Sequence, residues 1–355
     1  MKGYLILEEG NIYEGERIGL TTEKIFYVNI NTSMRGLSEI ITSPISFGQG
    51  IVFTSPIMSG FEIDLEECQS SSICVSSVFF NGNIPDFDVD EYGQRNLTDV
   101  LTEFKVPGLK NVDTRAIQKD IEKNGPQKGM ITSDINLIDE KILKIKNFEI
   151  KNFSKKVTAP KITYFGRTKP KQVAILDLGV KDDIINNILS RNMGVVIYPC
   201  DTAPEIILAT RPNGILISNG PGDPYDFAYF DTIKKICKTS IPILAIGLGS
   251  NLVAIDQGIN LKPYHHSHNG TNFPIQNVKT GKIYNSAQNL THYIDGETIN
   301  YKEHDIIFTN LLDNTVAGIK YIGKNIIGIS FNPEANPGNK EIEILFDVFA
   351  SMINK

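Results

Sequence analysis

The sequence predicts a β-rich N-terminal domain followed by an α/β domain with a mostly parallel sheet. Its 355 residues fit two domains of ordinary size. Short apolar runs bounded by turn residues fill the first part, whereas apolar strands alternate with helical segments after residue 172. Between these parts the chain is rich in Lys and Asn and weakly periodic. We therefore predict a domain at 1–135, a linker at 136–171 and a second domain at 172–355.

Four strands and two helices are predicted in the first domain. The strands are apolar, β-branched segments at 4–7, 12–13, 25–30 and 50–54. The helices, at 95–105 and 114–124, follow from apolar residues at helical spacing. Asp113 is placed to cap the second helix, and Gly125 to end it.

The second domain opens with a continuous apolar strand at 173–177, as expected for a strand buried on both faces. Because strands and helices then alternate, the sheet is predicted to be parallel with right-handed crossovers. Short strands are predicted after residue 260. The other predicted elements are a helix at 181–191, strands at 194–198, 214–218 and 241–246, and a closing helix at 340–353.

Composition argues against several kinds of partner. The net charge is −6 and no run of Lys and Arg stands out, so nucleic acid is not expected. No apolar run of 18 residues predicts a membrane span, and the N-terminus lacks a signal-peptide pattern. The four cysteines have no metal-ligand spacing and are expected to be reduced thiols. A cytoplasmic protein is therefore predicted.

A glycine-rich loop, residues 218–224, directly follows the predicted strand 214–218. Ligands bind at the carboxyl ends of parallel strands. There, Gly220 and Gly222 would let backbone N–H groups approach a substrate oxygen, as an oxyanion hole requires. The alternative is a tight turn in which Gly and Pro serve only as turn residues.

A second motif lies where the strand 241–246 runs into a helix. This is the outline of a nucleophile elbow, whose corner carries Ser or Cys in an active enzyme. Here the corner is Gly247, which adopts strained backbone angles freely but has no side chain to attack a substrate.

A third motif, residues 326–335, ends in Asn332 and Glu334, which face the same side if the strand continues. A thiol-activating pair needs His at the first position and a carboxylate at the second. Asn332 cannot accept a proton near neutral pH. The alternative role for Glu334 is a surface or loop hydrogen bond.

Together these motifs resemble the class I glutamine amidotransferases, which carry G-x-C-x-G-x-Q at the elbow and H-P-E at the base. Segments spread over nearly the whole chain extend the resemblance to the small subunits of carbamoyl-phosphate synthetase. They are residues 31–36, 106–116, 288–289 and 333–338.

The resemblance assigns the family's nucleophilic Cys to Gly247, its general-base His to Asn332 and its orienting Glu to Glu334. It also implies a substrate-binding set with an oxyanion N–H at the residue after the corner. That set is Gly220, Gly222, Leu248, Asn251, Asn289 and His292, while a substrate-contacting Ser falls on Ile45.

The resemblance further implies a large subunit as partner, which holds ATP and Mg and makes carbamoyl phosphate for pyrimidine or arginine synthesis. No cofactor is expected in this chain, which has no Walker A loop. Without nucleophile and base, its own glutaminase activity is predicted to be lost, leaving a complex that depends on ammonia. Two alternatives stay open: a rearranged glutaminase using Glu334 and water, and a regulatory module that binds glutamine or another amino acid.

Ser250, Cys237 and a cluster of histidines are the candidates to replace the missing groups. Ser250 lies one turn from the corner but lacks its strained exposure. Cys237 lies in a predicted helix and is expected to pack in the apolar core. The cluster His265, His266 and His268 is predicted to be a polar loop, with a metal site as the alternative.

Overall fold

A computed structural model describes residues 1–55, 62–64, 66–84 and 95–354. The chain forms two compact units, Met1–Ile150 with His265–Gly270, and Lys151–Tyr264 with Thr271–Lys355. The first is rich in strands and the second is α/β, so the predicted fold class is confirmed. In these ranges no helix is both long and apolar enough to cross a membrane.

The strands, in chain order, are β1 (Lys2–Leu7), β2 (Ile12–Gly19), β3 (Lys24–Asn31), β4 (Gln49–Phe53), β5 (Glu62–Ile63), β6 (Ser77–Phe80), β7 (Arg95–Asn96), β8 (Pro107–Lys110), β9 (Lys128–Thr132), β10 (Thr163–Phe165), β11 (Lys171–Asp177), β12 (Met193–Pro199), β13 (Gly214–Ile217), β14 (Ile243–Ile246), β15 (Leu261–Asn277), β16 (Ile283–Ile294), β17 (His304–Asn310), β18 (Val316–Tyr321) and β19 (Ile326–Ile329). The α-helices are α1 (Leu37–Thr42), α2 (Leu97–Glu103), α3 (Thr114–Asn124), α4 (Ile138–Lys146), α5 (Phe153–Val157), α6 (Asp182–Ser190), α7 (Pro204–Ala209), α8 (Phe230–Cys237), α9 (Leu248–Asp256) and α10 (Ile344–Ile353).

The first unit is built around a closed barrel with strand order β1-β2-β8-β6-β4-β3-β9. Helix α3 begins as predicted, because the Asp113 carboxylate accepts a hydrogen bond from Ala116 N–H at 2.9 Å. It ends at Gly125, whose φ of 83° suits a residue without Cβ. Its buried face carries Ile117 and Ile121.

The segment 136–171, predicted to be a linker, contains α4, α5 and β10. Helix α4 belongs to the first unit, where Ile145 is fully buried against Ile6 and Met130. A short helix that buries one narrow apolar face leaves little periodicity in the sequence. The boundary between the units falls after Ile150.

The second unit has a ten-stranded sheet with strand order β10-β12-β11-β13-β14-β19-β18-β16-β15-β17. The neighbouring strands β12, β11, β13, β14 and β19 pair in parallel. On either side of them, the β10–β12 and β18–β19 pairings are antiparallel. Helices α6 and α10 cover one face of the sheet, and α8 and α9 cover the other. Beyond residue 260 the prediction of short strands is confirmed for β17, β18 and β19 but is wrong for β15, which has 17 residues, and for β16, which has 12. Pro263 and Pro274 look like strand breakers in the sequence but lie within β15.

Candidate functional site

Three neighbouring parallel strands bring the three sequence motifs to one edge of the sheet. Strand β13 pairs with β14, and β14 pairs with β19, all in the same direction. Their carboxyl ends lead to Asn219, Gly247 and Asn332. This is the edge at which α/β proteins bind ligands.

The strained corner of the elbow is present. Gly247 has φ 53° and ψ −115°, and its N–H donates to Ile329 O at 2.8 Å. A side chain is disfavoured at these angles, which are found where strain serves a site. A Cβ placed on Gly247 would lie 3.0 Å from Asn219 Cβ and have no closer neighbour. The neighbouring atoms therefore need to move only slightly for a small side chain, although the backbone angles at Gly247 keep any side chain there strained.

Close packing holds the helix that follows this corner. A Cβ on Gly249 would lie 2.4 Å from Ile217 O, so only glycine lets α9 approach β13 this closely. Leu248 is the first residue of α9, and its N–H belongs to the first turn, where no helical carbonyl is available. Asn251 is buried one turn later, and its N–H donates to Gly247 O.

Two buried amides meet beside the corner. Asn219 Nδ2 donates to Asn332 Oδ1 at 3.2 Å, and both side chains are buried. Asn332 is fixed further by its N–H, which donates to Ala287 O at 2.9 Å. Asn219 Oδ1 has no hydrogen-bond partner among the residues that the structure describes.

Glu334 lies in the turn after β19 and forms a buried ion pair, so it makes a hydrogen bond from a loop but is not a surface residue. Lys181 Nζ lies 2.8 Å from Glu334 Oε1, and Lys181 also donates to Asn336 O. Glu334 Oε2 is buried and has no partner within the described part of the chain. A buried carboxylate requires such a counterion, because an isolated charge is costly to desolvate.

Sequence reasoning missed Lys181. The sequence feature that could have indicated Lys181 is its position four residues after the end of the buried strand β11 and just before α6. The end of β11 lies at the same edge of the sheet as the three motifs. Asp177 shapes this turn by accepting hydrogen bonds from the N–H groups of Gly179, Val180 and Ala159 at 2.7–2.9 Å. Burial raises the pKa of Asp177, although these backbone donors favour its charged form.

The glycine-rich loop packs tightly. A Cβ on Gly220 would lie 2.2 Å from Leu178 O, and one on Gly222, at φ 104°, would lie 2.9 Å from Phe153 Cβ. Packing alone therefore explains both glycines, and their contact with a substrate stays a prediction.

His292 and Asn289 both lie on β16. His292 Nε2 lies 3.7 Å from Asp223 Oδ2, and its ring meets Tyr225 edge-on, so it contacts the loop that follows β13. Burial lowers the pKa of His292, and the nearby Asp223 carboxylate opposes that shift. Asn289 is half-buried. The substrate contacts predicted for both residues stay predictions, as does that of Ile45, which is buried in the first unit.

Ser250 and Cys237 are both buried in the second unit. Ser250 is buried, and its Oγ lies 2.7 Å from the place of a Cβ on Gly328 of β19. Cys237 is packed in the core beside the sheet, as predicted. The three histidines lie within β15 and not in a loop, and the described ranges contain no group of three or more His, Cys, Asp or Glu arranged for a metal ion.

Comparison with known proteins agrees with this architecture. The family model for the carbamoyl-phosphate synthase small chain, CPSase domain, matches residues 5–131, and the model for class-I glutamine amidotransferases matches residues 174–352.

Curated relatives match over essentially the full length. A carbamoyl phosphate synthase small chain of Staphylococcus saprophyticus is 31% identical over 100% of this chain and 96% of its own. One from Listeria monocytogenes is 30% identical over 99% and 97%, and one from Clostridium perfringens is 32% identical over 98% and 99%. This chain therefore belongs to the family of carbamoyl phosphate synthase small chains and carries its class-I glutamine amidotransferase domain.

Proposed function

We propose that this chain is a small subunit that docks on a large, ATP-using synthetase subunit without hydrolysing glutamine itself. The main support for this proposal is that Gly247 has the strained backbone of a nucleophile elbow but has no nucleophilic side chain. Free ammonia then supplies the nitrogen of carbamoyl phosphate. Removal of a triad nucleophile costs roughly 10⁶-fold in rate when the triad acts as a unit.

The base position supports the same proposal. Asn332 stands at the end of β19, where its amide pairs with Asn219 and cannot take a proton from a nucleophile. Both changes lie at one edge of a sheet whose corner geometry is kept. The corner geometry is therefore present without the two catalytic groups, as expected for a subunit that serves assembly.

A rearranged glutaminase is less well supported. Its only base would be Glu334, and one carboxylate oxygen of Glu334 already accepts from Lys181. An oxyanion hole and binding alone leave roughly 10³–10⁴-fold over water, far below a working triad. The third possibility, a regulatory module that binds an amino acid, stays a hypothesis. Thermal-shift screening with amino acids tests it, and an unchanged melting temperature with every amino acid would count against it.

The test measures ammonia release from glutamine by the natural chain, alone and mixed with a large subunit, with complex formation followed by size-exclusion chromatography. The natural chain is expected to bind the partner and release no ammonia above background, while the complex makes carbamoyl phosphate from ammonium. Glutamine turnover at the rate of ordinary amidotransferases would overturn the proposal.

The matched variant is Gly247→Cys with Asn332→His, which restores both missing groups in the existing scaffold. It is expected to gain glutamine hydrolysis, with Gly247→Cys alone giving less because no base activates the thiol. ATP and Mg are proposed to bind only the large subunit, so equilibrium dialysis of the free small chain with ATP should show no binding.

A further inference from the structure

A second concave site lies at the amino ends of the parallel strands, away from the edge that carries the elbow. It is a cavity of about 580 Å³ within the second unit, lined by residues just before β14, at the start of β19, on β18 and on α10. This volume is typical of small-molecule sites, which span roughly 300–1,000 Å³. Asn219, Gly247 and Asn332 do not line it, so the cavity is separate from the candidate site.

One wall of the cavity belongs to an apolar stripe on the outer side of α10. Ile344, Val348 and Met352 follow one another at i, i+4 and i+8, so they lie along one face of the helix. Ile344 is 50% exposed and Val348 is 40% exposed, whereas Leu345 and Phe349 bury the other side of α10 against the sheet. A surface helix normally carries polar residues on its outer face. Val348 and Met352 therefore offer the cavity an apolar wall.

The charged groups in the lining favour an anion. Lys320 and Lys324 bring two ammonium groups to the cavity, and Lys324 Nζ donates a hydrogen bond to the neutral amide oxygen of Gln257. Asp347 is the carboxylate in the lining, and both of its oxygens accept from Arg191, at 2.6 and 3.2 Å, so its charge is already compensated. The lining therefore has an excess of positive charge, which attracts a negative group.

Two carboxylates outside the lining limit how much negative charge the cavity can hold. Asp305 stands opposite Lys320 in the register of β17 and β18, and Asp256 accepts a hydrogen bond from Gln257 Nε2 at 2.6 Å. Their charges lower the positive potential around Lys320 and Lys324 without entering the cavity. A single negative charge therefore suits the cavity better than a polyanion such as a polyphosphate.

We propose that this cavity binds a small organic monoanion with an apolar body. The negative group lies beside Lys320 and Lys324, and the apolar body lies against Val348 and Met352. The inference goes beyond the proposed function and does not depend on it, because the cavity shares no residue with the elbow or with the amides beside it. Binding would join α10 to β18 and β19 and would therefore stabilise the second unit.

The test titrates the purified chain with sodium octanoate, followed by isothermal titration calorimetry and by thermal unfolding. Octanoate is expected to bind one to one and to raise the Tm, because it binds the folded state only. Two further probes each lack one of the two required features. Acetate has the charge without the apolar body, and octylammonium has the same body with the opposite charge, so neither should bind in the range where octanoate does.

Two variants address the two walls separately. Lys320→Met removes one ammonium group and keeps an unbranched side chain, while Val348→Thr keeps the side-chain shape and makes that wall more polar. Each is expected to weaken octanoate binding about three- to fivefold, the worth of one partly exposed ion pair or of one apolar contact. Lys279→Met is the matched control, because Lys279 is exposed and outside the lining, and its affinity for octanoate should equal that of the natural chain.

Circular dichroism shows whether each variant is folded, and if one variant fails to fold, the other decides the question. Absence of octanoate binding would overturn the proposal. So would octylammonium binding as tight as that of octanoate, or an unchanged octanoate affinity in a folded Lys320→Met or Val348→Thr variant. Glutamine hydrolysis and complex formation are measured separately, so failure of this site leaves the proposed function intact, and the reverse also holds.

Discussion

Lys181 Nζ lies 2.8 Å from Glu334 Oε1, and the two side chains are 2% and 0% exposed. The pair joins the turn before α6 to the segment after β19, two parts of the chain separated by 153 residues. Because neither charge reaches water, each depends on the other.

Breaking this pair should be costly. Lys181→Met or Glu334→Gln is expected to lower the free energy of unfolding by about 3–5 kcal/mol, since each leaves an uncompensated buried group. Urea unfolding followed by circular dichroism measures the loss.

The double variant Lys181→Met with Glu334→Gln should be far less destabilised than the sum of the singles, because no lone charge remains. Additive losses would contradict the buried pair. Lys235→Met, which breaks the exposed pair with Glu205, is the control and should leave stability unchanged.

Much of the fold could be predicted because its signals are local. The cap Asp113 and the stop Gly125 mark α3, and the apolar run 173–177 marks β11. The turn at Gly247 was also evident, since a buried strand meets a helix without a linker. These patterns reflect backbone and burial requirements that act over a few residues.

The missed features depend on tertiary contacts. Lys181 looks like an ordinary residue before a helix, and only the parallel sheet brings it to Glu334. Strand β15 contains prolines and a His cluster that resemble a loop, yet its pairing in the sheet overrides that local preference. Helix α4 is short and half-exposed, so its periodicity was too weak to separate it from a linker.

Two glycines at the site should resist substitution for packing reasons alone. In Gly249→Ala the new Cβ would lie 2.4 Å from Ile217 O, and in Gly220→Ala 2.2 Å from Leu178 O. Backbone atoms cannot move aside cheaply, so each change is expected to cost about 1–3 kcal/mol, typical of overpacking.

Thermal unfolding compared with the control Gly296→Ala measures this effect. A Cβ on Gly296 has no neighbour within 4 Å, so that variant should be as stable as the natural chain or slightly more stable. Equal stability of all three variants would mean that the close approaches at Gly220 and Gly249 are not kept in solution.

His292 should make stability depend on pH. Burial lowers its pKa below the ordinary value of 6.5, with Asp223 opposing the shift. The unfolded chain therefore binds the proton more readily, and the contribution of neutral His292 is fully present above about pH 6.5. That contribution is lost as the pH falls from 6.5 toward the lowered folded-state pKa.

Urea unfolding at pH 7.5, 6.5 and 5.5 measures the slope, which His292→Gln should reduce. His304→Gln provides a comparison, because burial also lowers the pKa of His304, and the double variant should have the flattest profile in this range. A slope unaffected by His292→Gln would show that its ring is solvated.

The thiols of the second unit should be inert in the native protein. Burial is the main cause that raises the pKa of Cys200 to about 11. Burial is also the main cause that raises the pKa of Cys237, and this pKa is raised further. Because the thiolate is the reactive form, iodoacetamide at pH 8 should modify both only after unfolding in urea. Cys68 and Cys74 are less buried and should react first, although burial also raises the pKa of Cys74.

Peptide mass spectrometry of samples alkylated with and without urea separates the four sites. Rapid native modification of Cys237 would contradict its place in the core and would reopen the search for a nucleophile. Protection of Cys200 and Cys237 in the native chain would show that neither thiol replaces the one absent from the corner.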